Sequence, residues 1–146
     1  MMHTTKGNNT VVGRFSNFEC DSCGQAFNLG RYPVHYHLAG GVSKSFIRNC
    51  SIHDAFNRAI TIHGVHGLRA EHNVMVDNAG HNLFLEDGIE TKNIIRGNIV
   101  MGTRASGGLL KSDATPASYW ITNPDNVLED NVAAGSERYV SPVVVG

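Results

Sequence analysis

Phe46-Ile47-Arg48-Asn49-Cys50-Ser51-Ile52 alternates apolar and polar side chains on either side of a turn residue, and the chain says it again. The phrase returns as Ala70-Glu71-His72-Asn73-Val74-Met75-Val76, as Ile95-Arg96-Gly97-Asn98-Ile99-Val100-Met101 and as Leu128-Glu129-Asp130-Asn131-Val132. Stacked on Cys50, Asn73, Asn98 and Asn131, the copies are 23, 25 and 33 residues apart, and Phe15-Ser16-Asn17-Phe18 is an earlier, looser copy. Self-similarity at this period denotes a repeat architecture. A second phrase keeps step: Val34-His35-Tyr36-His37, Ile60-Thr61-Ile62-His63, Leu83-Phe84-Leu85-Glu86 and Gly108-Leu109-Leu110-Lys111 are offset by 26, 23 and 25. Two or three short strands per repeat with no helical period between them predict an all-β chain wound as a parallel β-helix of about five coils. Tyr36, Ile62, Leu85 and Leu110 then point inward, and the asparagine column is an inward ladder at a corner. A β-sandwich is the rival, but no Asn-Gly or Asp-Gly hairpin signal recurs between the repeats.

Composition agrees. The 146 residues suit one domain, read here as a single segment over 1–146, and 41% hydrophobic side chains suffice for a core. Sixteen glycines and fourteen asparagines supply turns. Twelve basic against thirteen acidic residues, without runs of either sign, argue against a nucleic-acid partner or a polybasic membrane patch. No apolar stretch approaches the roughly 20 residues that span a bilayer, and Met1-Met2-His3-Thr4-Thr5-Lys6 has no signal-peptide core. A solenoid needs capped ends, and the apolar Val143-Val144-Val145 close does not read as one, so the chain is expected to be a fragment of a longer array. The long spacing between Asn98 and Asn131 predicts a loop insertion at 112–117. Cys20, Cys23 and Cys50 are an odd set with one CxxC pair, read first as buried reduced thiols, with redox, metal or Cys50-linked pairing as alternatives.

Gly30-Arg31-Tyr32-Pro33-Val34-His35-Tyr36-His37-Leu38 resembles the GRYP-(I/V)-H-(F/W)-H-(L/M) phrase of the animal proteins that group fibrocystin and fibrocystin-like protein with the cell-migration-inducing hyaluronan-binding protein and the cell-surface hyaluronidase. Three stretches match the same group in the same order: Ser51 to Gly64, Gly80-His81 with Phe84 to Gly88, and Thr115 to Pro124. The likeness covers about 24–137; at Arg138-Tyr139-Val140 the sequence departs from it, which sets 138–146 apart as a tail. The resemblance implies a right-handed, single-stranded parallel β-helix of the PbH1-repeat type in an extracellular protein or the ectodomain of a membrane-anchored one. It implies hyaluronan binding and depolymerisation, with calcium as cofactor, in two branches. In the fibrocystin branches, to which Phe84 to Asp87 and Thr115 to Pro124 sit closer, it implies a non-catalytic scaffold or receptor.

The outward residues carry the chemistry. Along the axis they read His37, His63, Glu86, Lys111, with His35, Thr61, Phe84, Leu109 two residues back and Asp87, His66 and His81 at flanking turns. Neighbouring strands lie about 4.8 Å apart, so these side chains touch. In a glycosidase reading, Glu86 or Asp87 is the general acid, and a partner carboxylate or a His-activated water attacks the sugar. In a lyase reading, His63 or Lys111 takes a proton beside a uronate carboxylate. In a metal reading, His35, His37 and His63 converge on a transition metal with Glu86 as fourth ligand. The plain alternative is a hydrogen-bonded ladder that stabilises adjacent rungs. The candidate catalytic set is therefore Glu86, Asp87, His63 and His37, and the candidate substrate contacts are His35, His81, Lys111, Arg58 and Trp120. Trp120 would offer a stacking face and Arg58, like Arg31 and Arg104, a fork for a carboxylate. The expected partner is a hyaluronan-like polysaccharide or an extracellular protein, with no membrane contact by the segment itself.

Overall fold

Each repeat turns three times, and the three short strands it yields stack on those of the next repeat in register. The computed structural model describes residues 2–3, 11–105 and 113–137. Numbered in chain order, the strands fall into three five-stranded sheets. Sheet A holds β1 (Met2–His3), β4 (Val34–Gly41), β7 (Ile60–His66), β10 (Leu83–Leu85) and β13 (Tyr119–Trp120). Sheet B holds β2 (Arg14–Ser16), β5 (Phe46–Arg48), β8 (Arg69–Glu71), β11 (Ile94–Arg96) and β14 (Val127–Glu129). Sheet C holds β3 (Glu19–Asp21), β6 (Ser51–His53), β9 (Val74–Val76), β12 (Ile99–Met101) and β15 (Val132–Ala134). Every pairing is parallel, and the order A, B, C repeats five times, which is a parallel β-helix.

Register follows the sequence phrases. Ile47 pairs with Ala70 and Ala70 with Ile95, while Val34 pairs with Ile60 and Ile60 with Leu83. The loose copy at Phe15 pairs with Ile47. One expectation is corrected: Phe84 of β10 pairs with Trp120 of β13, not with Leu109. The fifth sheet-A rung is the aromatic Tyr119–Trp120, and the added residues between repeats come before it. Leu109, Leu110 and Lys111 lie outside the described residues, as do 138–146.

The core is a column of inward side chains. Tyr36, Ile62 and Leu85 of sheet A, Ile47, Ala70 and Ile95 of sheet B, and Ile52, Met75 and Val100 of sheet C are all fully buried. Burying each large aliphatic side chain stabilises by about 1.5–3 kcal/mol. Corners break the sheet bonding, so their buried amides need other partners. Asn73 supplies them: its Oδ1 accepts from the Cys50 N–H, and its Nδ2 donates to the Ile47 carbonyl and to Asn98 Oδ1. Asn98 repeats the pattern with Asn131. Further ladders, unforeseen from sequence, run through Asn93 and Asn126 and through Asn78, Asn82, Thr103 and Ser118.

The residue before each ladder position turns left-handed: Asn17, Asn49, His72, Gly97 and Asp130 have φ of 53–62°. Asn, Asp, His and Gly are the types that tolerate this backbone. Cys20 and Cys23 form a disulfide across the next corner, their Cα atoms 6.0 Å apart, so the expectation of reduced thiols holds only for the buried Cys50. Three residues of separation across a tight turn bring Cα atoms within bridging range.

Candidate functional site

Alternation along β4 aims Tyr36 inward, where its hydroxyl lies 3.0 Å from both the Gly13 and the Phe46 carbonyl oxygens and donates its one proton between them, and sends His35 and His37 outward. In register, His35 sits beside Thr61 and His37 beside His63; Thr61 in turn pairs with Phe84, and Phe84 with Trp120. Two adjacent columns result. One, His35–Thr61–Phe84–Trp120, is covered by side chains from the preceding turns, so His35, Thr61 and Phe84 are buried. The other, His37–His63–Glu86, is half-exposed.

The covering layer is built around Arg58, which is only 2% exposed. Its Nε and Nη2 donate to the two carboxylate oxygens of Asp113, at 2.8 and 2.7 Å, and Nη1 donates to the Tyr32 hydroxyl at 3.0 Å. The guanidinium also lies 3.9 Å from the centre of the Phe84 ring. Burial alone works against its charge, but the bonds and charge of Asp113 outweigh it and raise the Arg58 pKa. Burial raises that of the Tyr32 phenol as well. Nη1 stands 3.5 Å from Glu86 Oε1, which ties the buried layer to the exposed column.

His63 is held between two carboxylates. Its Nε2 is 2.8 Å from Asp87 Oδ2, and its Nδ1 is 3.5 Å from Glu86 Oε2. His35, His37 and His63 pack ring to ring, with centroids 4.8–4.9 Å apart for the neighbouring pairs and the His35 and His63 planes within 9°. Their ligand nitrogens all lie within 4.8 Å of one another. His35 Nδ1 is 3.0 Å from the Gly30 carbonyl. Burial, the largest influence, and the neighbouring imidazoles push the His35 pKa down to about 4, against the pull of that carbonyl.

His37, His63, Glu86 and Asp87, the four candidate catalytic residues, thus share one outer face with His35. Two expected substrate contacts are placed otherwise. Arg58 is not an open turn arginine; its fork already grips Asp113. His81 is buried against Phe84 and Trp120, accepts from the Ala117 N–H on Nδ1, and has its pKa pushed down to about 4 by burial. Trp120 is half-exposed and stacks on Phe84 at 6.1 Å and 20°. His66 is bonded to Thr91, and His53 sits among Glu19, Asp21 and Asp54.

Sequence reasoning did not place Tyr32, Asp113 or Glu90 in the site. Asp113 is 55 positions from Arg58, and no spacing rule connects them. Glu90 is fully buried and accepts from the Gly64 and Asp87 backbone N–H groups, shaping the turn that carries Asp87. Calcium takes about six to eight oxygen ligands. Among the described residues the grouped donors are three imidazoles, or two exposed aspartates with His53, and neither set fits that ion.

A family model described as CEMIP beta-helix matches residues 2–141. Fibrocystin-L of Homo sapiens is 46% identical over 91% of the chain, and the chain spans 3% of that protein's length. The Mus musculus fibrocystin-L is 44% identical over 95% of the chain, again 3% of its own length. The cell surface hyaluronidase CEMIP2 of Homo sapiens is 36% identical over 75% of the chain and 10% of its own length.

Proposed function

The chain belongs to the CEMIP β-helix family, and on that premise we propose that the outer face of sheet A binds an extracellular polysaccharide of the hyaluronan class. The observation that carries the reading is the half-exposed row His37, His63 and Glu86 along the helix axis, with the exposed Asp87 next to Glu86 and the half-exposed Trp120 in the adjacent column of the same sheet. A linear polymer matches a linear row. Hydroxyl, amide and carboxylate groups of a sugar find donors and acceptors there, and an aromatic edge to stack on. The buried Arg58–Asp113 pair beneath holds the row in place, so little conformational entropy is lost on binding. Two relatives are named cell surface hyaluronidases, which supports this substrate class and a cell-surface setting.

Chain cleavage is the finer form of the same reading. Glu86 and Asp87 flank one imidazole, and glycoside hydrolysis needs two carboxyls, one protonated at the leaving oxygen. The other reading is a non-catalytic scaffold that meets protein partners. It is favoured by the higher identity to fibrocystin-L and by the contacts Glu86 already makes to His63 and Arg58. Incubation with long-chain hyaluronan, with capture of the polymer and gel analysis of its length, separates the three. Capture that is lost in His63→Ala and Trp120→Ala supports the binding face. Shortening by the native chain but not by Glu86→Gln adds catalysis. No capture by folded protein leaves the scaffold.

A further inference from the structure

We propose that His35, His37 and His63 form a binding site for a nitrogen-preferring divalent transition cation of the zinc class, with an open coordination position facing Glu86 and Thr61. The inference does not depend on the polysaccharide reading.

The geometry of His35 is the first ground. Its Nδ1 is engaged by the Gly30 carbonyl, which fixes the proton on that nitrogen and leaves a lone pair on Nε2. That Nε2 is buried and has no hydrogen-bond partner. A metal-ligating histidine has this arrangement, one nitrogen held by a carbonyl or carboxylate and the other presented bare.

A second orphan adjoins it. Thr61 Oγ1 is also buried without a partner, and Thr61 is the residue paired with His35 across β4 and β7. Native interiors rarely leave two neighbouring polar atoms unsatisfied, and a bound cation with its water would satisfy both. His63 completes the pattern: whichever of its nitrogens takes the metal, the other has a carboxylate to orient it, Asp87 at Nε2 or Glu86 at Nδ1.

The three ligand nitrogens lie within 4.8 Å of one another. Nitrogens on one tetrahedral zinc are about 3.3 Å apart for bonds of about 2.0–2.1 Å, so small ring rotations close the site. Three imidazoles with a fourth position open to water is the donor set of zinc-type catalytic centres, and it excludes the oxygen-seeking calcium and magnesium.

The test uses the full chain, stripped with a chelator and returned to chelator-free buffer. It is titrated with Zn2+ by calorimetry and with Co2+ by visible absorption, and circular dichroism verifies each variant's fold. The expected result is one equivalent bound, with intense cobalt bands of a four-coordinate site. His35→Gln and His63→Gln each weaken binding by at least about tenfold, while His72→Gln leaves it unchanged. His63 is half-exposed, so its variant keeps the test decisive if the His35 variant misfolds. Absence of saturable binding, binding that survives His63→Gln, or binding lost instead in His53→Gln at the exposed Asp21–His53–Asp54 group would overturn the proposal.

Discussion

Replacing Asp113 by Asn removes the charge that answers Arg58 while keeping the shape of the side chain. The two are joined by paired bonds of 2.8 and 2.7 Å, and both are shut off from water. Breaking a buried ion pair from one side costs about 3–5 kcal/mol, because the surviving charge is left in a poorly polarisable interior. Here Glu86, 3.5 Å away and half-exposed, can move toward the guanidinium and offset part of the loss. The expected cost is therefore the low end, about 3 kcal/mol. With a denaturant slope of about 1–3 kcal/mol per molar urea, the unfolding midpoint falls by about 1–3 M. The double variant Arg58→Met/Asp113→Ala removes both charges and recovers most of this, since a buried pair is worth little more than apolar packing. Urea unfolding followed by fluorescence of the single Trp120 and by circular dichroism measures all three chains. A loss under about 1 kcal/mol for Asp113→Asn, or a double variant no more stable than the single one, would refute the claim that Asp113 is there to neutralise Arg58.

The corner ladder makes a graded prediction. Asn98→Ala removes the acceptor of the Asn73 backbone N–H and of one Asn73 side-chain N–H and the donor to the Ala70 carbonyl, and should cost about 3 kcal/mol, against about 1 kcal/mol for the half-exposed Asn131→Ala, both read by urea unfolding. Gly97→Ala places a Cβ on a backbone at φ 62°, 2.4 Å from the ring of the exposed and movable His72. The expected loss is the left-handed backbone penalty of about 1–2 kcal/mol, and Gly97→Asn should be milder. Because His81 has its pKa held near 4 when folded and 6.5 when free, the unfolded chain takes up its proton first. The stability it contributes is full above pH 6.5 and is lost as pH falls toward 4. Midpoints between pH 7 and 4.5 should fall less steeply in His81→Phe. His53, raised by its bonds to Asp54 and Glu19, acts in the opposite sense and loses its contribution as pH rises.

How far these features could be read in the sequence depends on how local they are. The β-helix was legible because each coil repeats the same physical requirement. An inward residue at Ile47, Ala70 and Ile95 and a corner amide at Asn73, Asn98 and Asn131 recur at almost constant spacing. The outward histidines and Glu86 followed from alternation about Tyr36, Ile62 and Leu85. The fifth sheet-A rung was misassigned because the longest repeat offers two apolar phrases, at Leu109 and at Tyr119, and only three-dimensional pairing chooses the second. The Asp113 grip on Arg58 was invisible for a related reason: a buried ion pair is fixed by the path of the chain, which carries no period. Arg58 and His81 read as solvent-facing turn residues, and it is the cover over His35 and Thr61 that buries them.

The most direct test of the binding face is a titration of the isotopically labelled chain with a hyaluronan oligosaccharide, followed by backbone-amide and imidazole resonances. The account predicts shifts concentrated at His37, His63, Glu86, Asp87 and Trp120, with sheets B and C silent. Shifts centred on the Arg96 and Glu129 face of sheet B, or none at oligosaccharide concentrations up to several millimolar, would contradict it.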